Sequence, residues 1–173
     1  LAGLLTMAGL EVDAIRETRP SFTGVVAARI ISIKPHPKAD KLSLCEVVST
    51  EGGTFSVVCG AGNIRSGDVT PMARVGAVMP NGLIIKKSLI RGEASEGMLC
   101  SEKELGLGED ETGVMILSPG LTPGCDLADA LDLKDTVLDI SITPNRADCL
   151  SIIGLAREIA AITGGKFSYP EIS

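Results

Sequence analysis

His36 is the only histidine in this 173-residue chain, so any Ser–His or Cys–His pair would have to use it. It stands in "IKPHPKADKLSLCEV", residues 33–47, between Pro35 and Pro37. Proline locks its own φ and pushes the residue before it to extended backbone. That predicts a stiff loop, a poor platform for a general base that must face a nucleophile. The five cysteines, Cys45, Cys59, Cys100, Cys125 and Cys149, are widely and irregularly spaced, with no CxxC pair. One histidine and scattered cysteines do not supply the ligand spacing of a zinc site. An odd cysteine count in an apolar context points instead to reduced, mostly buried thiols and a cytoplasmic protein.

Two other stretches invite a chemical reading and fail it. "GAGNIRSGD" puts Gly62 and Gly67 at the spacing of a phosphate loop, which must continue with Lys and then Ser or Thr. Here Asp68 and Val69 follow, so a carboxylate stands where an anion would sit. "SEKELGLGEDETG" is crowded with carboxylates, but it is a polar run with no apolar pocket to separate their pKa values. No catalytic constellation and no metal site is expected in this chain.

Binding is better supported. The net charge is −6, yet residues 29–91 hold nine Lys or Arg against four acids, while residues 92–135 hold two against eleven. The charge alone also fits solvated strand faces. Its placement is more informative. Lys34, Lys38 and Lys41 flank His36 in the turn-rich loop, and Arg65, Lys86, Lys87 and Arg91 fall in or beside other loops and strand ends. Bases converging on one face would form a phosphate-binding surface. Only four aromatics occur, Phe22, Phe55, Phe167 and Tyr169. Single-strand binders need stacking platforms, so a folded RNA read by shape and backbone fits this surface better.

The elements that must position these residues divide into three segments. Residues 1–18 read as a helix end closed by Gly9, then a strand, "LEVDAIRE". Residues 19–128 contain short alternating runs broken by Gly and Pro: "GVVAARIISI", "LSLCEVV", "TFSVVCG", "VTPMARVG", "LIIKKSLI" and "GVMILS". Runs at this spacing predict an antiparallel barrel or sandwich, with Pro80-Asn81-Gly82 as a hairpin turn. Residues 129–173 hold a strand over Val137–Thr143, a break at Pro144, and a helix. Asp148 is its expected N-cap, Ile152, Leu155, Ile159 and Ile162 its apolar stripe, and Gly164-Gly165 its end. Helix–strand at one end and strand–helix at the other predict a small split α+β domain with the barrel inserted between its halves. No run of 18 apolar residues exists, so no spanning helix is expected. Leu1, with no Met or basic segment before it, does not read as a signal peptide, and suggests a chain that starts partway into a longer protein.

At "HPKADKLSLCEV", "VVCGAGNIRSGD", "IKKSLIRGEASEGMLCSEKELGLGED" and "SITPNRADCLSIIGLAREIA" the sequence resembles the N-terminal part of the bacterial phenylalanyl-tRNA synthetase β-subunit family. The first three motifs are shared with a wider group of tRNA-binding OB-fold domains. The flanking "TMAGLEVD" and the last motif point to the β subunit. The resemblance implies a mainly β fold with α+β: a five-stranded OB-fold barrel from about Arg19 to Ala128, set in the split domain. It implies RNA-facing positions at Lys38, Lys41, Arg91 and Ser95. Gly97 belongs to the same segment and reads as a turn residue, and Met98 as core. The tRNA-binding set expected overall is therefore Lys34, His36, Lys38, Lys41, Arg65, Lys86, Lys87, Arg91 and Ser95.

In this family the parent enzyme is an (αβ)2 class II synthetase that attaches phenylalanine to its tRNA with ATP and magnesium. The resemblance places aminoacylation in the α subunit and editing farther along β. The fragment itself is thus expected to bind tRNA weakly, hold no cofactor and carry no catalytic residue, with no membrane or DNA partner. A structural or assembly module of the synthetase and a free-standing tRNA chaperone are the competing readings. The second of these predicts a chain that ends near Ser173.

Overall fold

The computed structural model of the protein describes residues 1–50 and 53–169. In chain order the elements are α1 (Ala2–Met7), β1 (Glu11–Thr18), β2 (Thr23–Pro35), β3 (Ser43–Thr50), β4 (Gly53–Cys59) and β5 (Val69–Val78). They continue with β6 (Ser88–Ile90), β7 (Glu93–Ser95), β8 (Gly97–Leu99), α2 (Glu102–Leu105) and α3 (Leu127–Ala130). The chain closes with β9 (Asp135–Ser141), a 3-10 turn (Pro144–Cys149) and α4 (Ile152–Thr163). Two compact units result: Arg19–Lys134, and Leu1–Thr18 with the segment from Asp135 onward. The second boundary therefore lies at 134, not 128. The reason is α3: Leu127 and Ala128 are buried in the core of the larger unit, so the chain cannot leave it earlier. Residues 170–173 of the expected last segment lie outside the described residues.

The larger unit is a curled antiparallel sheet of five strands in the order β4-β3-β2-β5-β8, an OB-like half-barrel. Its centre is β2, whose first half pairs with β5 and whose second half pairs with β3. Successive strand side chains point to opposite faces, and β2 buries both. Val25 and Ala27 enter one apolar cluster with Phe22, Val69, Ala73, Leu105 and Leu127. Val26, Ala28 and Ile30 enter another with Cys45, Val47, Val57, Met72 and Leu99. Ile33 packs on that second cluster too, although it lies three residues beyond Ile30. A β-bulge between Ile30 and Ser32 restores the phase by leaving Ile31 as the extra, exposed residue, and such bulges also bend the strand.

The fifth strand is not where the alternating runs suggest. "LIIKKSLI" yields one bridge, Ile84 with Val78, and then β6, which pairs only with β7. "GVMILS" yields one bridge, Leu117 with Val69. The strand beside β5 is the three-residue β8, too short to show a period. Gly97 opens it because the strands pack closely: a Cβ there would lie 2.6 Å from Met72 Cε and 2.8 Å from the Ala73 carbonyl oxygen. The glycine serves this approach and not the expected turn. Met98 is half-buried against the core, as expected. Pro80-Asn81-Gly82 does reverse the chain, with Gly82 at φ +80° and the Met79 N–H donating to the Leu83 carbonyl.

In the smaller unit β1 pairs antiparallel with β9. Helix α1 ends in a left-handed Gly9: the Gly9 N–H reaches the Thr6 carbonyl and the Leu10 N–H the Leu5 carbonyl. This is the Schellman arrangement, and its two apolar ends, Leu5 and Leu10, are wholly buried with Cys149. Helix α4 packs Leu155, Ile159 and Ile162 on that cluster, but Ile152 is 82% exposed. Its N-cap is Ser151, whose hydroxyl accepts the Gly154 N–H, and not Asp148. The 3-10 turn intervenes, and Arg146 takes the Asp148 carboxylate.

Candidate nucleic-acid interface

Beyond Pro35 the chain folds back on itself: the His36 N–H donates to the Leu42 carbonyl at 3.0 Å, and the Leu42 N–H to that of Ala39 at 3.1 Å. The imidazole of His36 is buried, with 5% of the residue exposed. Pro37 has no N–H, so the next donor along the chain is Lys38, whose N–H bonds His36 Nδ1 at 3.0 Å. Nδ1 is therefore the acceptor of the neutral ring, and Nε2 carries the proton toward the Ile90 carbonyl, 3.1 Å away. Both nitrogens are engaged within the protein. His36, expected in the RNA-touching set, has its ring turned inward, where it positions the loop.

Ile90 begins the turn between β6 and β7. Ile90 and Glu93 pair across a two-residue loop of Arg91 and Gly92, with φ of +51° and +96°. Positive φ at both central positions defines the type I′ hairpin turn, whose twist matches its strands. Gly92 adopts it freely, whereas a side chain at φ > 0 carries about 1–2 kcal/mol of strain. Arg91 is thus held in a strained conformation with its side chain exposed. The Lys38 ammonium lies over the same turn, 3.3 Å from where a Gly92 Cβ would stand. The structure brings Lys38 and Arg91 together, with Lys41 exposed on the same His36 loop. Among the described residues, no acid pairs with these three cations.

The other expected bases are placed differently. Lys34, at the end of β2, faces Glu46 at 4.0 Å. Lys87 pairs with Glu96 at 2.6 Å, and this contact holds the Glu96 carboxyl below its ordinary range. Lys86 is exposed beside it. Arg65 is exposed in the β4–β5 loop, which is fastened to the middle of β2 by Ser66 Oγ donating to the Ile31 carbonyl at 2.6 Å. At about 3.3 Å per strand residue, that anchor lies roughly 16 Å of chain from His36, so Arg65 is not brought to the Lys38–Arg91 site. Two further bases in the basic segment are consumed by carbonyls: Arg29 by Gly67 and Pro119, and Arg74 by Ser49.

Ser95, expected as an RNA contact, is placed inside the larger unit. It is 1% exposed, its hydroxyl accepts the Val58 N–H at 3.1 Å and donates to the Gly97 carbonyl at 2.9 Å. With the Glu96 N–H donating to the Ser56 carbonyl at 2.8 Å, it ties the edge of β4 to the β7–β8 segment. The tie from His36 to Ile90 spans 54 residues, and nothing local in the sequence marks it. Asn63 escaped the sequence reading as well. Its amide donates to the Val114 carbonyl at 2.8 Å and accepts the Val114 N–H at 3.0 Å, acting as a one-residue strand partner.

Among the described residues, one acidic cluster has metal-like geometry, Asp148, Cys149 and Glu158. The Arg146 guanidinium already lies among them, at 3.1 Å from Asp148, 3.1 Å from the Cys149 sulfur and 3.0 Å from Glu158. An internal cation fills the place a metal would take. Among the described residues, no helix is long and apolar enough to cross a membrane.

Residues 25–126 match the family described as "Putative tRNA binding domain". The chain is 70% identical over 168 residues to the phenylalanine–tRNA ligase beta subunit of Syntrophus aciditrophicus, which covers 97% of this chain and 21% of that protein. It is 52% identical over 170 residues to the same subunit of Bordetella parapertussis, covering 98% of this chain and 21% of that protein. The chain thus spans about a fifth of the length of these curated relatives. Among solved structures, the C-terminal domain of Plasmodium vivax p43 aligns over 59% of this chain and 57% of its own, with a TM-score of 0.43 and 19% identity.

Proposed function

Because the chain belongs to the putative tRNA-binding domain family, we propose that it is the accessory tRNA-binding region of a phenylalanyl-tRNA ligase β subunit. In this reading Lys38, Lys41 and Arg91 grip the sugar-phosphate backbone of folded tRNA. The observation that carries it is the His36 tie to Ile90, which holds two loops distant in sequence so that unpaired cations share one surface. Lys34, Lys86 and Lys87 lie on neighbouring strand ends and add long-range attraction, and Arg65 acts from a separate loop. The parent enzyme would use ATP and magnesium, pair with an α subunit as an (αβ)2 assembly, and work in the cytoplasm. None of these residues is assigned a catalytic, ATP-binding or metal-binding role.

The test is charge reversal, Lys38→Glu, Lys41→Glu and Arg91→Glu together, read by tRNA binding across a salt series. Each lost phosphate contact lowers the log–log salt slope by nearly one unit, so the triple variant should lose about two to three. Unchanged affinity and slope would reject the interface. A structural role in the synthetase is the second reading. It is favoured by the exposed apolar residues of the smaller unit, Leu4, Met7, Leu150 and Ile152, with Met7 88% exposed. Loss of subunit assembly with tRNA binding intact, on changing Met7 and Ile152 to Gln, would support it.

A further inference from the structure

Of the chain's four aromatic rings, Phe22 and Phe55 pack on the two cores of the larger unit. The other two, Phe167 and Tyr169, stand together in the smaller unit, just beyond α4. Gly164 ends that helix with left-handed backbone, φ +70°, and the chain then comes back against it. Arg157 of α4 donates from Nη2 to the Tyr169 hydroxyl, twelve residues further on. Its guanidinium carbon lies over both rings, 5.6 Å from the Phe167 centroid and 5.5 Å from that of Tyr169. The rings meet edge to face, with centroids 5.0 Å apart and planes at 73°. Cation–π attraction and the edge-to-face contact fix their orientation, but the cluster is not buried. Tyr169 is 60% exposed, and Arg157 and Lys166 are exposed beside it. Among the described residues, no carboxylate pairs with Arg157 or Lys166; Glu158, the next helix residue, is held by Arg146.

A fixed aromatic face, open to water and flanked by unpaired cations, is what captures a nucleobase: the ring stacks on the base while the cations meet the adjoining backbone. We propose that Arg157, Phe167 and Tyr169 form a stacking platform for an unpaired base of RNA, with Lys166 facing the neighbouring phosphate. This rests on the reading of tRNA as the partner and adds a contact of a different kind. The Lys38–Arg91 surface supplies charge for the backbone; the platform supplies a face for a base that the folded RNA leaves unpaired. Every base has a π face, so the platform selects an unpaired base and not a particular sequence.

Tyr169 is the only tyrosine of a chain without tryptophan, so the tyrosine emission of the intact protein reports on this ring alone. Titration with single-stranded oligoadenylate should quench that emission saturably, and an RNA duplex at the same phosphate concentration should quench it far less. Binding of an end-labelled oligoadenylate, followed by anisotropy, should weaken about fivefold or more in Tyr169→Ala and in Phe167→Ala. Tyr169→Phe keeps the ring and should stay within about twofold of the parent. Lys166→Gln should lower the log–log salt slope by about 0.7, the value of one single-strand phosphate contact; an unchanged slope would remove Lys166 from the assignment. The platform is overturned by an absence of saturable quenching, by equal quenching with the duplex, or by a Tyr169→Ala protein that binds like the parent. Salt-dependent tRNA binding without quenching would strike the platform and leave the Lys38–Arg91 surface standing. Quenching by oligoadenylate in a protein that fails to bind tRNA would uphold the platform and strike the tRNA reading.

Discussion

The Nε2–H of His36 donates to the carbonyl of Ile90 across 3.1 Å, and that single bond joins the loop of Lys38 and Lys41 to the turn of Arg91. It separates two kinds of contribution to binding. His36→Ala removes a buried ring with two hydrogen bonds but no charge. The tRNA affinity should fall several-fold while the salt slope stays within about half a unit, because every phosphate-facing cation remains. Equilibrium binding at four or five salt concentrations gives both quantities. A slope that falls by a whole unit would mean that the ring itself meets the RNA as a cation.

Arg91 allows stability and binding to be pulled apart. Replacing it by Gly removes left-handed strain of about 1–2 kcal/mol but adds freedom to the unfolded chain worth about 0.5–1 kcal/mol. Arg91→Gly should therefore melt higher than Arg91→Ala, and no lower than the parent. Both variants should lose the same tRNA affinity. Thermal melts and binding isotherms on the pair check this; a difference in affinity between Gly and Ala would point to backbone shape and not to the guanidinium.

Ser95→Ala should do the reverse. Deleting the hydroxyl leaves the Val58 N–H without its acceptor at the join between β4 and the β7–β8 segment, a loss of about 1–3 kcal/mol. Chemical denaturation should register that loss, while tRNA affinity at a temperature where the variant is folded stays within about twofold.

The smaller unit carries its own pH signature. Hydrogen bonding from Arg146, then from Cys149, holds the exposed Asp148 carboxyl below its ordinary 3.8. Because the folded value is depressed, the stabilisation is full above the unfolded value and disappears as pH falls below about 4 through the folded value. A melt series from pH 6 to pH 2, with helical signal as the readout, should show an acid-dependent loss that Asp148→Asn largely removes. An identical pH dependence in parent and variant would clear Asp148 of the effect.

What the sequence disclosed follows from what each residue does locally. The apolar run through Val25–Ile30 and the Gly9 helix end are local facts, and they place β2 and α1 within a residue or two. The Lys-rich loop was legible because prolines restrict it wherever it sits. Ser95 was not, since a hydroxyl that meets RNA and one that meets Val58 look alike in one dimension. Asp148 and Ser151 are both competent helix caps, and only Arg146, folded against Asp148, decides between them. The three residues of β8 are too few to display any period, and Gly97 reads as a turn until Met72 is seen against it.

The bulge at Ile31 has a wider consequence, since it makes the interface a matter of parity. Odd and even positions of β2 are committed to opposite faces up to Ile30, and the extra residue swaps that assignment for everything after it, through Pro35 to His36. Deleting Ile31 would leave every functional residue present and chemically intact. It would leave Ile30 and Ile33 two positions apart, on one face by plain alternation and still opposite Val47 and Cys45, so His36 would keep its side and only the bend of the bulge would be lost. A one-residue gap at Ile31 is therefore absorbed, and the bulge is the place where the spacing between the "GVVAARI" core and the "HPKADK" loop can change by one residue without reversing either face.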